Sequence, residues 1–155
     1  MNIKIKFGVL ILVIIWYTGL IAEFLLPEQS PVRLLALLLK ITYGNVCHQN
    51  PMKTITIGAN RLLVCSRCFG IYSGALLSSA VALCIKRSVR IKTAMLFICA
   101  LPMITDIALY TTGIYYYSKI IAFLTGLLLG SVGFFYILDA FVKFVFDYKM
   151  RKVKI

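Results

Sequence analysis

The chain reads as long apolar blocks separated by short polar gaps. The first block runs from Phe7 to about Leu26, with Lys4 and Lys6 before it and the breakers Pro27 and Pro31 after it. Three more run from about Gly70 to Ile85, Thr93 to Thr111 and Ile120 to Val142, with Gly, Ser and Lys in the gaps. A helix needs about 20 apolar residues to cross about 30 Å of hydrocarbon, so each block is expected to be a transmembrane helix. The first is read as a span rather than a cleaved signal peptide. It is long for a signal's apolar region, and Leu20 with Ala22 makes a poor small-x-small cleavage site.

The block from Val32 to Val46 differs. It is short for a span and carries Arg33 and Lys40, which share one stripe of a helix while Leu34, Leu35, Leu37, Leu38 and Ile41 cover the rest. It is expected to lie along the membrane interface. The basic residues bear on this assignment, because short cytoplasmic loops collect Lys and Arg. Lys4/Lys6, Lys86/Arg87/Arg90/Lys92 and Lys149/Arg151/Lys152/Lys154 all fall on one side when the chain crosses four times. A fifth crossing at Val32–Val46 would move the last two clusters outside. The expected fold is therefore all-α: one domain, residues 1–155, an integral membrane bundle of four transmembrane helices plus one interfacial amphipathic helix. Both termini are expected in the cytoplasm, with the loop of about residues 45–68 on the extracytoplasmic side.

Composition agrees. Hydrophobic residues make up 61% of the 155 and charged residues 14%, more apolar than a water-soluble domain of this size can carry on its surface. The mean hydropathy is +0.94. The net charge of +12 raises nucleic acid as a partner, but the charges sit between and beyond apolar blocks rather than on a soluble basic face. The lipid bilayer is the expected partner, and a membrane-protein partner or homo-oligomer is open.

The concentrated chemistry lies in the 45–68 loop. Three of the five cysteines gather there: Cys47 beside His48, then Cys65 and Cys68 enclosing Ser66 and Arg67. The two-residue spacing lets both sulfurs face one metal ion or pair with each other, and Cys47 with His48 can complete a tetrahedral Cys3His set. Zinc fits such ligands best; soft thiolates also hold Cu(I), and affinity order alone does not choose. Cys68 is expected at the start of the helix from Gly70, where the helix dipole favours thiolate. Arg67 offsets the charge of a thiolate site. Asp106 lies roughly 7 to 8 Å below the outer end of its span, at 1.5 Å per residue, and should point to the same face. A carboxylate there needs a partner, with Arg67, Lys119 or a bound ion as candidates.

Other readings stand beside this one. A zinc clip or disulfide can merely hold the loop, though three cysteines leave one unpaired. Cys65 and Cys68 can also exchange with Cys47 as a thiol-disulfide oxidoreductase linked to a membrane quinone. Cys84 and Cys99 read as buried apolar residues within spans. Gly70-x-x-x-Gly74 with Ser78, and Gly126-x-x-x-Gly130 with Gly133, read as sites of close helix approach. Tyr110 and Tyr115 to Tyr117 read as an interfacial aromatic belt.

Cys47-His48-Gln49, Pro51, Lys53-Thr54, Gly58, Val64-Cys65-Ser66-Arg67-Cys68 and Gly70-Ile71-Tyr72-Ser73-Gly74 together resemble the small prokaryotic membrane proteins grouped as domain of unknown function 2085. Asp106 matches an aspartate of that family's next span, and Thr125-Gly126 with Gly130 matches its last. The chain departs at Met52, which replaces an acidic residue, and at Ile107, where glycine is usual. No arginine stands just before Thr125, where Lys119 is the nearest cation. The resemblance implies a shared membrane fold and site and carries no established activity.

Overall fold

The computed structural model describes residues 3–22, 33–57, 60–85 and 91–153. Pro27, Pro31, Gly58, Lys86, Arg87, Arg90 and Lys154, which figure in the sequence reading, lie outside the described residues, as does the first apolar block beyond Ala22. The elements are α1 (Ile3–Leu20), α2 (Arg33–Gly44), a 3-10 turn (Pro51–Lys53), β1 (Thr54–Ile57), β2 (Asn60–Cys65), α3 (Ser66–Cys84), α4 (Thr93–Thr111) and α5 (Lys119–Val153). Among the described residues, α3, α4 and the Lys119–Phe144 part of α5 are long and apolar enough to cross a bilayer, while the apolar helix α1 is shorter in its described part. The architecture is a helical membrane bundle with a small sheet at one end.

α3 and α5 form the centre of the bundle. In lipid no hydrophobic effect drives helices together, so close packing and hydrogen bonds must do it. Small residues permit that closeness. A Cβ added at Gly70 would collide with the carbonyl oxygen of Phe123, at Gly74 with that of Leu127, at Gly126 with that of Arg67, and at Gly130 with that of Ile71. Ser78 Oγ donates to the Ser131 carbonyl at 3.2 Å, and Ser131 Oγ reaches back to the Gly74 carbonyl at 3.4 Å. These contacts climb in the same direction on both helices, so α3 and α5 run parallel.

α1 packs antiparallel on α3. Tyr17 and Ser73 share a hydrogen bond of 3.2 Å near one end. At the other, Lys6 is buried and its ammonium donates to the carbonyls of Ala82 (2.6 Å) and Ile85. The last carbonyls of a helix lack donors within it, and a cation there also meets the negative end of the helix dipole. α4 runs antiparallel to α5, with Leu96 against Gly133 and Thr93 beside Tyr136. It is exposed along most of its length, and Asp106 is its one buried residue.

The buried core sits at the end of the bundle, where Leu20, Tyr43, Cys47, Leu63 and Val64 meet. Tyr43 of α2 donates to the Trp16 carbonyl at 2.6 Å, in space left by Gly19. The faces turned outward carry residues such as Leu12, Ile15, Phe97, Leu101 and Ile137, which suit contact with lipid chains.

The fold is mostly helical, as expected, and a two-stranded sheet is added to it. Residues expected as a plain loop hold an antiparallel hairpin pairing Thr54 with Cys65, Thr56 with Arg61 and Ile57 with Asn60. Thr54-Ile55-Thr56-Ile57 alternates and is wholly β-branched, and Leu62, Leu63 and Val64 bury against the helix ends. α3 starts at Ser66 instead of Gly70, and α5 continues to Val153 instead of stopping near Val142.

Gly126→Leu is expected to lower the thermal unfolding midpoint in detergent sharply, by more than the ~1–3 kcal/mol of ordinary overpacking, because backbone opposes the new side chain. Gly8→Ala, with nothing within 4 Å of the added carbon, should leave the midpoint unchanged.

Candidate metal centre

Each cysteine of the loop is placed by a specific local device. After α2, the backbone N–H groups of Val46 and Cys47 both donate to the Tyr43 carbonyl, at 3.2 and 2.9 Å. That tight exit carries Cys47 inward, where it is buried. Gln49 then adopts a left-handed backbone, φ 47°, and its side-chain amide donates to the Lys40 carbonyl at 2.9 Å. Asn50 caps the 3-10 turn by accepting from the Met52 N–H at 3.0 Å. Ser66 Oγ donates to the Lys53 carbonyl at 2.9 Å and so ties the start of α3 to the start of the hairpin. Cys65 ends β2 and is also the residue from which α3 begins, and Cys68 stands in the first turn of that helix.

The result is convergence. The sulfurs of Cys47, Cys65 and Cys68 all lie within 4.8 Å of one another, and all three are free thiols. The sulfur of Cys47 also accepts the Cys65 backbone N–H at 3.2 Å. Hydrogen bonds from the Cys65 and Cys68 thiols hold the Cys47 thiol far below the usual thiol range, with burial opposing them in part and the N–H groups of Cys65 and Gln49 adding to them. No side chain caps the start of α3, and Cys65 and Cys68 stand at that end of the helix, where its dipole is positive.

His48 does not join the group. Its side chain is exposed, and the converging ligand atoms are the three sulfurs alone. Residues 47 and 48 lie in irregular backbone between the tight exit from α2 and the inversion at Gln49, and Cys47 turns inward while His48 turns to the surface. Cys84, expected to be buried, is exposed on the outer surface of α3, and Cys99 is half-buried. An apolar thiol facing lipid needs no protein cover.

Arg67 points away from the thiols and forms an ion pair with Asp106, whose side chain is 2% exposed. The hydroxyl of Tyr115 donates to the other oxygen of the same carboxylate. Of Arg67 and Lys119, Arg67 is the one paired with Asp106, and Tyr115, read from the sequence as part of an aromatic belt, is a further partner. Lys53 was not singled out for the site, yet its ammonium stands 4.3 Å from the ring centre of Tyr110 and 5.4 Å from that of Tyr117. Arg67 lies 6.0 Å from the Tyr117 ring. Burial pushes the Tyr117 phenol up to about 12. The available signal was the placement of Tyr115-Tyr116-Tyr117 directly after the span that carries Asp106.

Three sulfurs at this spacing form a ligand set suited to a soft or borderline metal ion. Residues 47–136 match the family described as predicted membrane protein, DUF2085. The uncharacterized protein MJ1492 of Methanocaldococcus jannaschii is 30% identical over 117 residues, which cover 74% of this chain and 75% of that protein. No solved structure matches the chain. With more than half of its length in the family match, including all three converging cysteines, Arg67 and Asp106, the chain belongs to the DUF2085 family of predicted membrane proteins.

Proposed function

We propose that the protein is a four-span membrane protein that holds a metal ion, zinc as the best fit, in a centre of three thiolates on the extracytoplasmic side. The observation that carries this reading is the meeting of Cys47, Cys65 and Cys68, drawn from the exit of a helix, the end of a strand and the first turn of another helix. Three elements bring thiols together at a cost in buried polar surface, and a shared ligand offsets that cost. Tetrahedral zinc takes three sulfurs and one further ligand. The fourth position is left to His48, after an inward swing of its side chain, or to a ligand from solution.

The topology rests on helix directions. α1 and α4 run one way and α3 and α5 the other, so the thiols share one end of the bundle with the last turns of α1 and α4. Lys6, Lys92 and the basic residues of the C-terminal helix belong to the opposite end. The positive-inside rule makes that end cytoplasmic. The described part of α1 spans about 27 Å at 1.5 Å per residue, close to the hydrocarbon thickness. α2, with Leu34, Leu35, Leu37, Leu38 and Ile41 exposed, lies along the outer interface.

Elemental analysis of protein purified without added metal is expected to give close to one ion per chain, and Cys65→Ser should lose it while Cys84→Ser keeps it. Metal-free protein with freely titrating thiols would overturn the reading. A Cys65–Cys68 disulfide whose state follows added quinone would replace it with thiol-disulfide exchange. For topology, in a background lacking Cys84 and Cys99, Asn45→Cys should add to the parent's labelling by a membrane-impermeant maleimide in intact cells, and Lys152→Cys should add nothing beyond the signal of the three loop thiols. The opposite labelling pattern would invert the orientation.

A further inference from the structure

α4 and α5 leave between them a groove of about 610 Å3 whose lining includes Asp106, a side chain 2% exposed. Its long walls are apolar, with Ile98, Leu101 and Ile121 among them. A volume of this size lies within the ~300–1,000 Å3 range of small-molecule sites. The polar atoms lie toward the outer end: Asp106, Tyr115, Thr105 and Thr125.

Every side-chain donor that lines that polar end is already used, and the unpartnered Nε of Arg67, which pairs with Asp106, is buried and lies outside the lining. Tyr115 gives its proton to Asp106. Thr105 Oγ1 donates to the Leu101 carbonyl at 2.9 Å, and Thr125 Oγ1 to the Ile121 carbonyl at 3.0 Å. What remains is acceptor capacity, because a carboxylate has about four lone-pair sites and each hydroxyl oxygen has two. Arg67 and Tyr115 take one site on each carboxylate oxygen. The ion pair with Arg67 also cancels the charge of Asp106, so the end of the groove favours an uncharged donor over a cation. A phosphate headgroup brings a second anion, and Asp106 sits roughly 7 to 8 Å below the end of α4, beneath the headgroup layer.

We infer that this groove binds an uncharged long-chain alcohol drawn from the bilayer. Its hydroxyl donates to the carboxylate of Asp106, and its chain runs inward past Leu101 and Ile98 toward the bilayer centre. The polarity of the groove, acceptors outside and hydrocarbon inside, matches the orientation such a molecule already has in the membrane. The site is separate from the three thiols and does not rest on their holding a metal.

The test uses the full chain reconstituted in phosphatidylcholine nanodiscs, with a diazirine-bearing farnesyl-length alcohol as the photoreactive probe. Labelling is expected on the 98–125 segment and should be competed by the unlabelled alcohol. The methyl ether of that alcohol should compete about tenfold more weakly, as loss of one hydrogen bond to a charged group predicts. Leu101→Trp fills the groove without touching the ion pair, and should abolish the competed labelling while leaving the unfolding midpoint in place. Equal competition by the ether, labelling spread evenly over all spans, or full labelling of the Leu101→Trp protein would each overturn the proposal. So would chain-to-chain crosslinks through residues 98–125 that the alcohol does not displace, since a second copy would then occupy the groove.

Discussion

The contact between α3 and α5 is the constraint from which the rest follows. Each helix brings glycines to the other's carbonyls, at Gly70 and Gly74 on one side and Gly126 and Gly130 on the other. Backbone against backbone leaves no side chain to adjust, so the register of the two helices is set within a fraction of a turn. That register decides the height at which α3 begins, and α3 begins at the residue after Cys65. The thiol corner is thus positioned by packing well inside the bilayer, while the loops above it complete the arrangement.

The helical membrane bundle was legible because hydrocarbon thickness leaves a direct mark on residue order. The spans at Thr93–Thr111 and from about Ile120 were read to within a residue at their starts, and the small-residue spacing pointed to the helix contact now seen. The hairpin was missed for a physical reason. Its strands are only four and six residues long, and a stretch singled out for its cysteines was read as a loop although Thr54-Ile55-Thr56-Ile57 alternates in the manner of a strand. The site was legible as a set of sulfurs, because two-residue spacing ahead of a helix is a local signal. The place of His48 was not. Sequence adjacency to Cys47 says nothing about which way the chain turns between them.

Arg67 occupies an unusual position in this layout. It lies between two of the converging cysteines, yet it serves a carboxylate on α4. One helical turn therefore divides its side chains between two environments, sulfur on one side and an ion pair with Asp106 and Tyr115 on the other. The pair also joins α4 to the rest of the bundle near a level where few other buried residues do, since α4 buries Asp106 alone. An ion pair so little exposed to water is not a source of large net stability. Its role here is geometric, fixing the distance between α3 and α4 at the end of the bundle that carries the thiols.

The inverted backbone at Gln49 has a consequence for evolution of the corner. Right-handed residues are the default for L-amino acids, and only glycine, asparagine and aspartate tolerate the mirror region at small cost. Glutamine is held there by its amide's grip on the Lys40 carbonyl. A β-branched replacement would drive the chain back to the ordinary hand, and the neighbouring sulfur and imidazole would then be free to exchange inside for outside. The stereochemistry of a single peptide unit thereby sorts two potential donors that differ by one place in the chain.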